Sequence, residues 1–505
     1  MINLTRKRTG KLFESIRRFF SGDESTEIDR ELPFAVMMFT ALSASGVSFY
    51  ESWKKLRDIN LLPKIKEDAD GVIRQVDVLG HDPLIVMQDK AEQTKSKAYK
   101  DFLGGFASSI RSGGNLTSFL KSKLRSILEL ESAASQRSIE KLGTLVEAYS
   151  IMLIVILCTY ILYIVLSSTS ILQAGQSSIR QSASINPLIY VFIFGAMPSM
   201  SLIFKAIANR ARKGNLLSLK SIYRKALLPS ILIIGIIAAI VAVPQLHFLP
   251  VTTLFPAVVT IGLCIISIPA AIAYRKLSVA NLAAEEAIPS FLRDITEARK
   301  IGLSPEKSII HASERKGYGR FSATVILVRN QLAWGVSLKK TYENIKTRIQ
   351  SWPVLVHFYL LIEAIEIGGG SPEALELLAE YSEKNREIET NKRAMLRPYI
   401  ILAFVWSVLI ALTTTIVALT IYVLAQISIE GVSKAPVNIL EQQISLFSIG
   451  IILQTWLSGF FIGKVSEGTF AAGFKYSAIF TATAYFSLLI SQSLLGGLFS
   501  FSSHI

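Results

Sequence analysis

Six stretches of this 505-residue chain contain no Asp, Glu, Lys or Arg: 148–179, 181–204, 226–274, 398–429, 442–463 and 476–505. A helix that spans a bilayer needs about 20 mostly apolar residues, at about 1.5 Å rise across a hydrocarbon core of about 30 Å. Each stretch is long enough for one span, and 226–274 is long enough for two, divided where Pro244, Pro250 and Pro256 interrupt it. The pattern therefore predicts seven membrane helices, near 149–167, 186–204, 228–243, 252–273, 400–425, 444–463 and 477–498. Two long regions of mixed charge, 21–147 and 275–397, alternate with them and read as water-facing helical bundles. The fold class is thus an all-α polytopic membrane protein with two bundle domains.

Those two regions repeat each other. Pro33 stands 13 residues before Gly46, and Pro289 stands 13 before Gly302; Gly46, Gly80 and Gly113 are spaced by 34 and 33, and Gly302, Gly335 and Gly368 by 33 and 33. Arg74 and Arg329 each stand six residues before a glycine, so one single-residue shift aligns the two copies. The first two corners of each copy read glycine, one residue, then Ser or Asp: Gly46 with Ser48, Gly80 with Asp82, Gly302 with Ser304, Gly335 with Ser337. Glycine closes a helix in the left-handed conformation, and the Ser or Asp two residues on accepts hydrogen bonds from the free amides of the next helix. Pro83, Pro305 and Pro372 follow such caps, where the first helical turn tolerates proline. Further breaks at Leu62-Pro63 and Trp352-Pro353 predict about six short helices per copy, the last starting near Leu116 or Pro372 and leading directly into a span. Tetratricopeptide and ankyrin arrays share a period of about 33, but their signatures are absent.

Charge then sets orientation. The hydrophobic fraction is 51%, the charged fraction 18%, mean hydropathy +0.44 and net charge +15. The loop 205–225 carries seven basic residues and no acid. Lys and Arg beside spans stay in the cytoplasm, which puts this loop, both bundles and the N-terminus inside and the C-terminus outside. All of the excess positive charge falls on that side. The division is therefore 1–20, a basic amphipathic segment; 21–147, bundle copy 1; 148–274, four spans with the loop 205–225; 275–397, bundle copy 2; and 398–505, three spans. Residues 1–20 lack the apolar core of a cleavable signal peptide. They read either as a solvated basic tail or as a surface helix that sets Phe13, Ile16 and Phe20 among lipid headgroups.

The sequence offers little for catalysis. Gly459 to Val465 comes nearest to a P-loop, with one residue too few between its glycines and no hydroxyl after Lys464. Its GxxxG spacing lets helices approach closely and also arises by chance. Five scattered histidines form no metal motif, and Cys158 and Cys264 fall inside spans as small apolar side chains. The spans hold no Asp, Glu, Lys or Arg, groups that ion-coupled pumps and intramembrane proteases generally need. Residues 1–147 are only +3 and residues 275–397 only +4, with their charges mixed, and topology already accounts for the loop, so nucleic-acid binding is not expected. Neither catalytic residues nor cofactor or metal ligands are assigned, and no enzyme activity is expected.

The ordered corners resemble those of the platform proteins of type IV pili, of the archaeal swimming filament (the archaellum) and of type II secretion. The residues that carry this are LPFAVMMFTALSASGVS from Leu32, IPSFLRDITEARKIGLS from Ile288, and the glycine clusters Gly113-Gly114 and Gly368-Gly369-Gly370. The likeness covers roughly 30–165 and 285–425. Four spans between the bundles and three after the second are similar to the archaeal branch; bacterial members usually have about three in all. The resemblance implies a non-enzymatic platform in the cytoplasmic membrane that couples a hexameric assembly ATPase to the insertion of pilin subunits, with a homodimer as the assembly. Basic residues are the ATPase-contact candidates: Lys54, Lys55, Arg57 and Arg74 in copy 1, and Arg293, Arg299, Lys300, Arg329, Lys339 and Lys340 in copy 2. The plain alternative is that these are solvated helix faces. A transporter or channel with duplicated regulatory domains is the competing function.

Overall fold

In a computed structural model, residues 24–173, 191–212, 214, 219–227, 229–231, 251–367, 369–427 and 437–502 are described. Residues 1–20, the span expected at 228–243 and Gly368 lie wholly or mainly outside them. The chain divides into two compact units: one of 1–137, 215–217 and 277–392, the other of 138–214, 218–276 and 393–505. The described residues are helical throughout, with no strand.

The first unit holds both repeats. Copy 1 contributes α1 (Glu24–Ala44), α2 (Phe49–Arg57), α3 (Pro63–Ile73), α4 (Pro83–Gln93), α5 (Lys97–Arg111) and the start of α6 (Leu116–Gln173). After helix α7 (Met197–Ala211), copy 2 begins at the end of α8 (Val251–Lys300) and continues through α9 (Pro305–Glu314), α10 (Ser322–Ala333), α11 (Leu338–Arg348), α12 (Trp352–Glu366) and α13 (Pro372–Leu396). The caps work as the corners predict: Ser48, Asp82, Ser304 and Ser337 each accept a hydrogen bond from an amide in the first turn of the following helix. At four corners the amide after the glycine donates to the carbonyl five residues earlier: Val47 to Leu42, Gly114 to Ser109, Leu303 to Ala298 and Val336 to Gln331. Closing a helix in this way needs a positive φ at the glycine, 79° at Gly46 and 76° at Gly335. At the third corner of copy 2, Gly369 and Gly370 hold the positive φ.

The single-residue shift has a structural cause. Arg74–Val78 forms a π turn, and at this corner His81 donates to Gln75, six residues back. A π turn holds one extra residue. Before it the copies align at an offset of 256, with Ile65, Ala69 and Val72 buried at the places of Phe321, Val325 and Val328. After it Leu103 and Phe106 match Phe358 and Leu361 at 255. Arg74 and Arg329, alike when counted back from their glycines, therefore sit one position apart in helical register: Arg74 aligns with Asn330.

Pro33 lies inside α1, which starts at Glu24, and Pro289 lies inside the continuous α8. The last helix of copy 1 runs on as one 58-residue helix, and in copy 2 α13 leads, after the single residue Arg397, straight into α14 (Pro398–Ile427).

The second unit contains the rest of α6, α7, the first part of α8, α14, α15 (Val437–Glu467) and α16 (Phe470–Ser502). Among the described residues five helices are long and apolar enough to cross a membrane, in Leu116–Leu162, Phe192–Ala211, Phe255–Lys300, Pro372–Thr414 and Phe447–Glu467. The segment expected at 477–498 is helical, within α16, but is not among the five. The GxxxG pair is a true packing site: a Cβ on Gly463 would meet the backbone of Gly473 at 2.3 Å, and one on Gly459 would meet that of Ser477 at 2.3 Å. Contact this close lets α15 and α16 gain dispersion energy where lipid offers no hydrophobic drive to associate.

Candidate functional site: an interlocked pair of bundles

The two repeats share one core and meet through a cluster of rings. Trp352, at the start of α12, donates its indole N–H to the Leu61 carbonyl at 2.8 Å. Phe34 stands edge-on to Trp352 at 4.6 Å between ring centres, to Tyr381 at 5.4 Å and to His357 at 5.7 Å. The Arg30 guanidinium lies 4.4 Å over the Trp352 ring. Ser45 of the first corner in copy 1 meets Ser371 of the third corner in copy 2 at 3.3 Å, and Lys121 pairs with Glu373. Polar side chains that clamp an apolar junction favour a single orientation of one bundle on the other.

A second repeated contact left no mark in the sequence motifs. Ser96, before α5, donates to Asp29 of α1; Ser351, before α12, donates to Glu285 of α8 at 2.6 Å. Asp29 and Glu285 differ by 256 positions and Ser96 and Ser351 by 255, so both copies pin their fifth helix to their first by the same link. Its acid and hydroxyl lie more than 60 residues apart, and only the register set by the π turn aligns the pairs.

Burial shifts two groups near this junction. His357 is fully buried, and desolvation holds its pKa down at about 4, against a hydrogen bond from Nδ1 to the Pro353 carbonyl that raises it. Glu31 is pushed up to about 7 by burial, although its carboxylate accepts from the Lys64 and Ile65 amides at 3.0 and 2.9 Å. It thereby caps α3, where Leu62 supplies no side-chain cap.

The structure does not gather the basic candidates into one patch. Lys54 leans over Tyr50, and Arg57 stands 3.9 Å from Asp58. Lys55 and Lys339 come together across the copies around Glu363, and Lys339 pairs with Glu366 at 2.9 Å. Arg299 ties the first corner of copy 2 to the third, donating to the carbonyls of Gly370 (2.8 Å), Gly369 (3.1 Å) and Leu303. Arg293 and Lys300 line an open cleft of about 540 Å³ between α6, α8 and α13, with Arg125 and Lys384 facing Glu129, Glu297, Glu376, Glu380, Glu383 and Glu387. Lys300 is paired there with Glu376 at 3.0 Å. Arg74, Arg329 and Lys340 form no ion pair among the described residues.

In the second unit, Arg212 is buried and donates to the carbonyls of Val465 and Ser466 (2.7 Å), which end α15. Lys464 reaches the Gly468 carbonyl at 2.9 Å, and Glu467 accepts from Tyr274 at 2.7 Å and Tyr476 at 2.6 Å. Charges that read in sequence only as topology signals thus cap a helix end and hold the turn between α15 and α16. Deeper along the same helices, Tyr149, Ser201, Gln454 and Ser458 form a buried hydrogen-bonded group, with Tyr149 and Ser458 at 2.7 Å.

A helical bundle built twice, together with apolar helices long enough to span a bilayer, marks the class of membrane proteins that carry a duplicated all-α domain. The family profile of type II secretion system (T2SS) protein F matches residues 35–164 and 291–419, more than half the chain, and the chain belongs to that family. Its members are membrane platform proteins of type II secretion and type IV pilus systems. No curated protein and no solved structure matches the chain.

Proposed function

We propose that this protein is the integral-membrane platform of a type IV pilus-like filament machine, of archaeal pilus or archaellum type. It has no active site of its own, and it couples a hexameric assembly ATPase in the cytoplasm to the insertion of pilin subunits drawn from the lipid. The supporting observation is mechanical. Two bundles locked together by Phe34, Trp352 and Tyr381 lead into long membrane helices, and α6 alone is a 58-residue rod, about 87 Å at 1.5 Å per residue. A torque or thrust on the bundles is passed along such a rod instead of being lost in a linker. The cytoplasmic bundles, seven spans, an inside N-terminus and a homodimer belong to this reading.

The test is co-purification of the full-length protein with its cognate assembly ATPase in detergent, with turnover recorded. Binding together with altered ATP turnover supports the platform. Failure to bind, together with solute flux in reconstituted vesicles, would establish a transporter instead.

A further inference from the structure

Lys205 follows directly on the charge-free stretch 181–204, where a span meets the membrane surface. A lysine at that depth ordinarily bends its ammonium out to water. Lys205 does not. It is 8% exposed and lies on the face of α7 that packs on α15, in line with Ser201, Ala208 and Arg212. Its ammonium stands 5.3 Å over the Phe460 ring and makes no hydrogen bond and no ion pair among the described residues. The ring face offsets part of the charge but supplies no counter-ion. Other polar groups along this seam are engaged elsewhere: Ser201 with Gln454, Arg212 and Lys464 with carbonyls, and Glu467 with Tyr274, Tyr476 and Lys475. A buried ammonium without a counter-ion costs the fold dearly, and an anion that reaches it is bound correspondingly well. The way in is short, because Leu202, one turn before Lys205 on α7, is 58% exposed.

We infer that Lys205 is the phosphate-binding residue of a site between α7 and α15 for the headgroup of one anionic phospholipid. The ammonium lies where the apolar stretch ends, the depth at which lipid phosphates lie, and basic pockets between membrane helices at that level take such headgroups. Lysine binds phosphate as a compact point charge with three donors. The loop that begins at Lys205 carries seven basic residues and no acid, so a headgroup with net negative charge is preferred to a zwitterionic one. The lipid acts as a structural ligand: it neutralises the buried charge and joins α7 to α15 beside the Tyr149, Ser201, Gln454 and Ser458 group. This site is independent of the platform reading and holds for any function of the membrane unit.

The experiment titrates delipidated full-length protein in neutral detergent with phosphatidylglycerol, phosphatidylcholine or inorganic phosphate, reading bound lipid by native mass spectrometry and stability by thermal melts. Wild type, Lys205→Met, Lys205→Arg and Lys225→Met are compared; Lys225 is an exposed cation of the same basic loop. Wild type should bind phosphatidylglycerol in preference to phosphatidylcholine and melt at a higher temperature with it. Lys205→Met should lose about ten-fold or more in affinity, the worth of one charge-assisted hydrogen bond, and Lys205→Arg less than about three-fold. Without lipid, Lys205→Met should melt no lower than wild type, because it removes a buried unpaired charge and keeps the packing. If that variant is unstable, Lys205→Gln gives the same comparison. Equal affinity in wild type and Lys205→Met overturns the inference. So does an equal loss in Lys225→Met, which would assign the binding to the field of the whole loop. Displacement of the lipid by millimolar inorganic phosphate would make this a free-anion site and overturn the lipid as its ligand.

Discussion

His357 and Glu31 put opposite pH slopes into one bundle pair. Neutral His357 is favoured by the fold, with a pKa near 4 against an ordinary 6.5, so its contribution is full above pH 6.5 and is lost as pH falls toward 4. At about 1.36 kcal/mol per unit this amounts to about 3 kcal/mol. Glu31, raised to about 7 from 4.5, runs the other way: the fold favours its protonated form, and stability falls as pH rises from 4.5 to 7. The two therefore nearly cancel between pH 4.5 and 6.5. Burial raises Glu131 to about 7 as well and adds to the Glu31 slope, so His357→Gln should make the melting temperature rise more steeply on acidification from pH 7 to 4.5 than it does in wild type. Parallel curves for the two proteins would refute this assignment. Neither group stands out in the sequence. A lone histidine reads as a packing residue, and only the rings of Phe34 and Tyr381 against it reveal that it is dry.

At the scale of elements, helix ends were the legible part. Gly46, Gly302 and Gly335, with Ser48, Ser304 and Ser337, announce corners because turn closure and capping depend on residues within a few positions of each other. The π turn at Arg74–Val78 was not legible as such: an extra residue looks the same in sequence whether it lengthens a loop or bulges a helix. The unbroken α6 leads to a mechanical prediction. Ala134 is exposed on it, and Ala134→Pro removes a hydrogen bond and kinks the rod at a cost of about 3 kcal/mol. Filament assembly in cells should then be lost while ATPase binding by the purified protein persists. Wild-type assembly by this variant would show that α6 transmits nothing.

For the whole molecule, the sequence disclosed the duplication and the alternation of apolar and charged segments, because both are periodic. It did not disclose how the copies meet. Trp352, Leu61, Phe34 and Tyr381 come from four separate segments, and no spacing rule links them. The basic candidates scattered for the same reason: side chains adjacent in sequence, such as Arg299 and Lys300, point to different partners on a helix. Coupling to an ATPase requires both bundles to lie in the cytoplasm. The most direct measurement is labelling of single cysteines at Val78→Cys and Ile301→Cys, both highly exposed positions, in a chain with Cys158 and Cys264 replaced by Ala. With a membrane-impermeant thiol reagent, neither site should label in intact cells and both should label fully after permeabilisation. Labelling of either site in intact cells would place that bundle outside and contradict the platform.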